Sequence, residues 1–219
     1  PLRCQAASVQ PAMAVLTPRG ARSHDPRSAI EAAPPMEAGD TLVDLFFDRA
    51  ARWSERSALR HWQDGAWQTM TWAEYGTAVR EVAAGLVALG LAPGDRAGIL
   101  AGNHPRWHIA DVGIIAAGGV TVPAYPTGAA SQLAHVLGHS GSRVCFVGDR
   151  DQLAKLLLCR PRLPALERIV ILGEPPDGLD DDLLLTFDDL RSLGRQRLSE
   201  QPDLVDERLG ELRPDSVAT

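Results

Sequence analysis

Two pairs of histidines stand four residues apart, His104 with His108 and His135 with His139. On a helix that spacing puts both imidazoles on one face, where they can chelate zinc; a glutamate between them would supply the general base of a metalloprotease. Neither pair has that glutamate, and His104 falls at a helix start, where its ring need not align with that of His108. Both pairs are read as polar positions on amphipathic helices. Gly118-Gly119 and Gly128 raise the chemistry of a phosphate cradle, which needs glycines after a strand and before a helix N-terminus. Gly118-Gly119 has the opposite polarity, between a helix and a strand, and is read as a helix terminator. Neither G-x-x-x-x-G-K-S/T nor G-x-G-x-x-G occurs in the chain. The turn Ala101-Gly-Asn-His-Pro105 does have the polarity of a ligand loop at the carboxyl end of a parallel sheet. Arg106 is its only nearby cation.

The nucleophiles are equally sparse. Cys145 falls in the middle of an apolar strand, where a thiol is inert packing. Ser131, Ser140 and Ser142 lack the strand-to-helix elbow that activates a serine. Asp180-Asp-Asp182 reads as a solvated loop run rather than a metal site. Lys155, the only lysine in the chain, reads as a surface charge on a helix. On residue types and spacing, no catalytic or metal-ligating residue is assigned, and the cofactor-binding residues stay unidentified.

The elements that would position any such group are clearer. Residues 94–147 read as strand, helix, strand, helix, strand. Arg96–Ala101 is apolar; Asn103 can cap a helix with Pro105 in its first turn. Trp107, Ala110, Asp111, Ile114 and Ile115 then recur at helical spacing up to Gly118-Gly119. Val120–Ala124 is β-branched, with Pro123 near its end, as the missing donor requires. A second helix with Leu133, Val136 and Leu137 inward ends by Gly141, and Val144–Val147 is a buried strand. Alternation of this kind implies parallel pairing through right-handed crossovers.

Upstream, a helix from Asp40 or Thr41 carries a stripe of Leu42, Leu45, Phe46, Ala50 and Trp53. Asp64-Gly65 joins a hairpin of Ala58–Trp62 and Trp67–Met70. Thr71 and Glu74 form a capping box for a long helix lined by Tyr75, Val79, Val82, Leu86 and Leu89 and ended by Gly90. Downstream, Asp149 and Gln152 resemble another capping box before Leu153, Leu156 and Leu157. Residues 167–172 give a fourth parallel strand, residues 173–182 a loop, and Phe187–Leu193 and Leu204–Leu209 two short helices. Residues 213–219 read as the approach to a further strand. The fold class is therefore α/β, a mostly parallel sheet flanked by helices, preceded by a helix and a β-hairpin.

At 219 residues and 45% hydrophobic, the chain can build one large α/β domain. Its net charge of −6 lacks the concentrated basic face of a nucleic-acid binder, so no nucleic-acid partner is expected. No apolar run is long enough to span a bilayer. Cys4, Cys145 and Cys159 are odd in number and unpaired in spacing, which suits a reducing cytoplasm. Residues 1–39 are broken by Pro11, Pro18, Pro26, Pro34 and Pro35 and are expected to be a disordered tail. Basic residues with few acids before Asp25 admit an organelle presequence there. A solvated tail, or a start at Met13, fits the pattern better.

Thr71-Trp-Ala-Glu-Tyr75, Ala84-Gly-Leu86, Leu89-Gly-Leu-Ala-Pro-Gly-Asp-Arg96, Asn103-His-Pro-Arg-Trp107 and Ala117-Gly-Gly-Val-Thr-Val-Pro-Ala-Tyr-Pro-Thr127 follow one another in order, with Leu137 and Ser140-Gly-Ser-Arg-Val144 behind them. This ordered set resembles the N-terminal part of AMP-forming acyl-CoA synthetases over roughly residues 41–219. Its Tyr125-Pro126-Thr127 ending looks closer to long-chain fatty acid ligases than to amino-acid-activating domains. The resemblance implies a carboxylate that attacks ATP with Mg2+ to give acyl-adenylate and pyrophosphate, followed by displacement of AMP by coenzyme A. Long-chain fatty acid and CoA would be the substrates, in the cytoplasm, with peripheral membrane association left open. In such enzymes the Ser/Thr/Gly-rich phosphate loop follows a segment like Pro214–Thr219, and the adenine motifs and catalytic lysine come later. Residues 40–219 are thus expected to be a domain truncated before the phosphate loop and inactive alone. Arg106 stands where such enzymes often carry an acid. The alternatives are a non-catalytic interaction domain derived from such a ligase, or part of a fatty acyl-AMP ligase that loads a carrier protein.

Overall fold

A computed structural model of the chain describes residues 41–175 and 182–219. The tail expected over 1–39 and the residues Asp180 and Asp181 lie outside them. Helix α1 (Leu42–Arg52) starts at Thr41, whose hydroxyl accepts from the Asp44 N–H while the Asp44 carboxylate accepts from the Thr41 N–H. Its buried stripe is Val43 and Ala50, with Phe46 and Phe47 packed partly against the core. Leu42, expected inside, is 61% exposed. Ala50 and Phe46 face the core as expected, and Val43 rather than Leu42 takes the inward position of the first turn.

The hairpin forms as expected. β1 (Ser57–Gln63) pairs antiparallel with β2 (Ala66–Thr71), and Asp64 and Gly65 both take positive φ, 51° and 76°, in the two-residue turn. Trp62 and Trp67 face each other across it with ring centroids 5.6 Å apart. Thr71 and Glu74 close the capping box of α2 (Trp72–Ala88), the most deeply buried helix.

The main sheet holds β3 (Arg96–Leu100), β4 (Val120–Ala124), β5 (Val144–Val147), β6 (Arg168–Ile171) and β7 (Leu184–Thr186) in the order β4-β3-β5-β6-β7. Every pairing is parallel. The short strand β7 was not expected. Its three residues sit between a loop and a helix start, too brief for a period of two to show. Helix α3 (Pro105–Ala116) returns the chain from β3 to β4, and α4 (Ala130–Ser140) carries it across to β5 on the other side of β3. The sheet is thus doubly wound, with its topological switch between β3 and β5.

Two apolar layers cover the sheet. One joins α1, α2 and α3 with α6 (Phe187–Glu200) and α7 (Leu204–Glu211) around Val79, Val82, Leu86, Ile99, Ile114, Phe146, Phe187 and Leu190. The other sets α4 and α5 (Arg150–Cys159) over Leu100, Leu133, Leu137, Leu156 and Ile169. Each fully buried large side chain contributes roughly 1.5–3 kcal/mol of hydrophobic transfer energy. Helix α6 runs to Glu200, well beyond the expected Leu193. Its second half is rich in Arg, Gln, Ser and Glu and shows little apolar period, yet its first half is anchored by a Thr186–Asp189 capping box. Tertiary packing holds that second half: Gly194 is buried against α2, Leu198 packs on the core and Arg195 donates to Glu81.

Two further details differ from expectation. The cap of α3 is His104, not Asn103: its Nδ1 accepts the Arg106 N–H at 3.2 Å. In α4, Leu133 and Leu137 are buried but Val136 is 36% exposed.

Candidate functional site

The carboxyl ends of parallel strands are where a doubly wound sheet presents ligands, and the switch point is the usual crevice. Here the crevice is closed by backbone. The Gly148 N–H donates to Leu100 O at 3.0 Å, and a Cβ on Gly148 would stand 3.0 Å from that of Ala101. A Cβ on Gly173 would stand 2.6 Å from the Gly148 carbonyl oxygen. Three loops that could splay around a nucleotide are instead packed against each other.

Open space lies to one side, at the edge strand β4. A cleft of about 260 Å3 is lined by the Ala101–Asn103 turn, Trp107 and residues Pro123–Pro126. It continues into a groove of about 560 Å3 between β4 and α4, lined by Pro123, Ala124, Tyr125, Leu133, His135 and Val136. The groove is mostly apolar, and Tyr125 at its rim is 87% exposed. Sequence reasoning placed the Ala101–Pro105 turn at a ligand-facing position, and it does line the cleft. It missed the groove, whose signal was the run Pro123-Ala-Tyr-Pro126 leaving a strand that also bears the sheet's edge.

The charged candidates point elsewhere. The Arg106 guanidinium donates to Leu172 O at 2.6 Å, lies over the Phe187 ring at 5.3 Å and stands 3.6 Å from the Asp188 carboxylate. It ties α3 to the start of α6 rather than facing the cleft. Lys155 is not a plain surface charge, since its Nζ donates to Pro126 O and fixes the loop that floors the cleft. Burial pushes the Cys145 thiol up to about 12, consistent with inert packing. Cys159 is buried as well and donates to Ala130 O. Ser140 and Ser142 share a hydrogen bond at 2.8 Å beneath the end of α4, and Ser131 lines the groove one helical turn before His135.

Neither histidine pair is joined by a third metal-ligating side chain among the described residues. His135 and His139 stack with ring centroids 5.8 Å apart. His104 stacks against His61 of the hairpin at 5.2 Å, a pairing the sequence did not show. Burial lowers the His104 pKa, and His61 and Arg106 lower it further. Among the described residues, no group of three His, Cys, Asp or Glu side chains could hold a metal ion. The cleft offers no cation to a triphosphate, and His104 already accepts the Arg106 amide at the α3 start. The residues that line this cleft therefore supply neither a cation for the phosphates of ATP nor a carboxylate for its Mg2+. No helix among the described residues is long and apolar enough to cross a membrane.

A doubly wound parallel sheet with helices on both faces is an α/β architecture that hosts many unrelated functions. The same fold occurs in the crystal structure of the anthranilate CoA ligase AuaEII in complex with anthranoyl-AMP. The match covers 74% of this chain and 29% of that one, with a TM-score of 0.63 and 23% identity. Residues 46–217 match the family described as AMP-binding enzyme, and the chain belongs to that family. It is 33% identical over 164 residues to the long-chain-fatty-acid–CoA ligase heimdall of Drosophila melanogaster, covering 73% of this chain and 24% of the relative. It is 36% identical over 118 residues to the long-chain-fatty-acid–CoA ligase FadD15 of Mycobacterium tuberculosis, covering 53% and 20%. The chain spans about a quarter or less of the length of these curated relatives.

Proposed function

We propose that these residues are the N-terminal portion of a long-chain fatty acid–CoA ligase. The whole enzyme would join a fatty acid to coenzyme A through an acyl-adenylate, with release of AMP and pyrophosphate from ATP. The observation that carries this reading is the family match over residues 46–217 together with two long-chain ligases at 33% and 36% identity. The chemistry on the page agrees with a division of labour. The described residues supply a rigid sheet, a closed switch point and an apolar groove, but no cradle for phosphate and no donor set for a metal. Phosphate binding, metal binding and the catalytic cation would come from residues that follow Thr219. In this reading, residues 41–219 act as the wall against which that machinery is assembled.

Palmitate-dependent ATP–pyrophosphate exchange tests it. The protein translated past position 219 is expected to catalyse exchange, and the purified 219-residue chain is not. Sustained exchange by the 219 residues alone would overturn the division of labour. Absence of exchange with any fatty acid by the longer protein would overturn the ligase reading.

A further inference from the structure

We infer that His104 and His61 form a proton-operated latch between the β1–β2 hairpin and the start of α3, closed while both rings are neutral and released when His104 takes a second proton. The latch lies wholly within the described residues and does not rest on the ligase reading.

The cap of α3 is itself titratable. The His104 Nδ1 lone pair accepts the Arg106 N–H at 3.2 Å, so the neutral ring carries its proton on Nε2. A second proton can go only to Nδ1, and it removes the acceptor that the Arg106 amide uses. Across from it, His61 donates from Nε2 to Gln63 Oε1 at 3.0 Å, which leaves its Nδ1 bare, buried and unpartnered. The two rings meet edge to face with centroids 5.2 Å apart. The surroundings oppose a charge on His104. From β1 it meets His61, and from its own helix the Arg106 guanidinium; both disfavour the imidazolium, as does partial burial. Asp188 of α6 stands 3.6 Å from the Arg106 guanidinium and belongs to that cation. On β2 the residue paired with His61 is the neutral Gln68, and His108 turns to the Trp107 ring. The hairpin forms a two-stranded sheet of its own, with no ladder to the main sheet, so the ring contact is free to part without breaking strand pairing. A histidine favoured neutral in the fold stabilises it above the unfolded value of about 6.5, and that share is lost as pH falls through the lower folded value. The latch is therefore closed at neutral pH and released in acid.

NMR of the 219-residue chain at about pH 7.5 and about pH 4.5, on either side of the ordinary histidine range, tests it. Protection of the Arg106 amide from solvent exchange, corrected for the intrinsic rate at each pH, should fall about fivefold in acid, the share of one capping bond. The nuclear Overhauser contact between the His61 and His104 rings should vanish with it, while the Val82 and Leu86 amides of α2 keep their protection. His104→Asn supplies a cap that does not titrate, so its Arg106 amide should stay protected at both pH values. His108→Asn, on the same helix but outside the latch, should respond as wild type does. Unchanged Arg106 protection in acid, a ring contact that persists there, or a wild-type response in His104→Asn would each overturn the proposal. So would a fall shared by Val82 and Leu86, which would be acid unfolding of the whole domain rather than release of a latch.

Discussion

The seam between α2 and α6 and the edge between β4 and α4 are built from the same kinds of residue and behave as opposites. At the seam, two helix backbones touch. A Cβ on Gly194 would lie 1.8 Å from the Glu81 carbonyl oxygen, and one on Gly85 would lie 2.4 Å from that of Leu190. The Glu81 carboxylate is only 7% exposed, and it accepts from Arg191 at 2.7 Å and Arg195 at 3.2 Å. At the edge, the glycine Gly128 meets nothing closer than 3.2 Å, and the apolar Val136 looks into open space. The difference separates packing that the fold depends on from surface that it leaves open.

The same one-carbon change in each region gives the sharpest contrast. Gly194→Ala forces α6 away from α2 against backbone that cannot yield. It is expected to cost about 3 kcal/mol or more in urea unfolding of the 219-residue chain, despite alanine's better helix propensity. A loss below about 1 kcal/mol would mean the seam is looser than its geometry.

Glu81→Ala comes next. It removes the acceptor of two arginines that are themselves partly exposed and can rehydrate, so the expected loss is about 2 kcal/mol rather than the larger penalty of a fully buried pair.

How legible each region was follows from the same physics. The hairpin, the α2 cap and strands β3 to β6 could be read because their signals are local: Asp64-Gly65, Thr71 with Glu74, and alternating apolar runs. The seam could not, because Gly85 and Gly194 are 109 positions apart and mark a close approach only once the helices meet. Asn103 reads as a cap on propensity, but the His104 imidazole Nδ1 reaches the Arg106 amide and caps the helix by geometry. Lys155 and Arg106 read as charges; both are spent on carbonyl oxygens of distant loops. Of the candidate site, the Ala101–Pro105 turn was visible as a strand-to-helix junction. The groove was not, because it depends on β4 being an edge, which is a matter of strand order.

A smaller effect concerns pH. Burial raises the Asp95 carboxyl pKa, but the Ala92 N–H and the Arg143 guanidinium outweigh it and hold it below the usual range. A depressed carboxyl stabilises the fold above its unfolded pKa, and this share is lost as pH falls through the lower folded value. Wild type should therefore lose more stability than Asp95→Asn between about pH 5 and pH 2, by less than about 1 kcal/mol for so accessible a network. Parallel acid-unfolding curves would remove Asp95 from the account.

The smallest effect belongs to the edge. Gly128→Ala has ordinary φ, and its Cβ would meet the Tyr125 carbonyl oxygen at 3.2 Å and Gln132 Oε1 at 3.3 Å. An exposed turn relieves such contacts by a few tenths of an ångström, so the stability change should stay within about 1 kcal/mol. A change as large as that at Gly194 would erase the contrast between the regions.

The most direct test of the central claim is the intact mass of the protein isolated from its own cells, with peptides sequenced across position 219. A species about three times the 23.5 kDa of this chain is expected, since the 164 matched residues are 24% of its ligase relative. A native species of 23.5 kDa ending at Thr219 would contradict the account, leaving the ligase without its adenylating half.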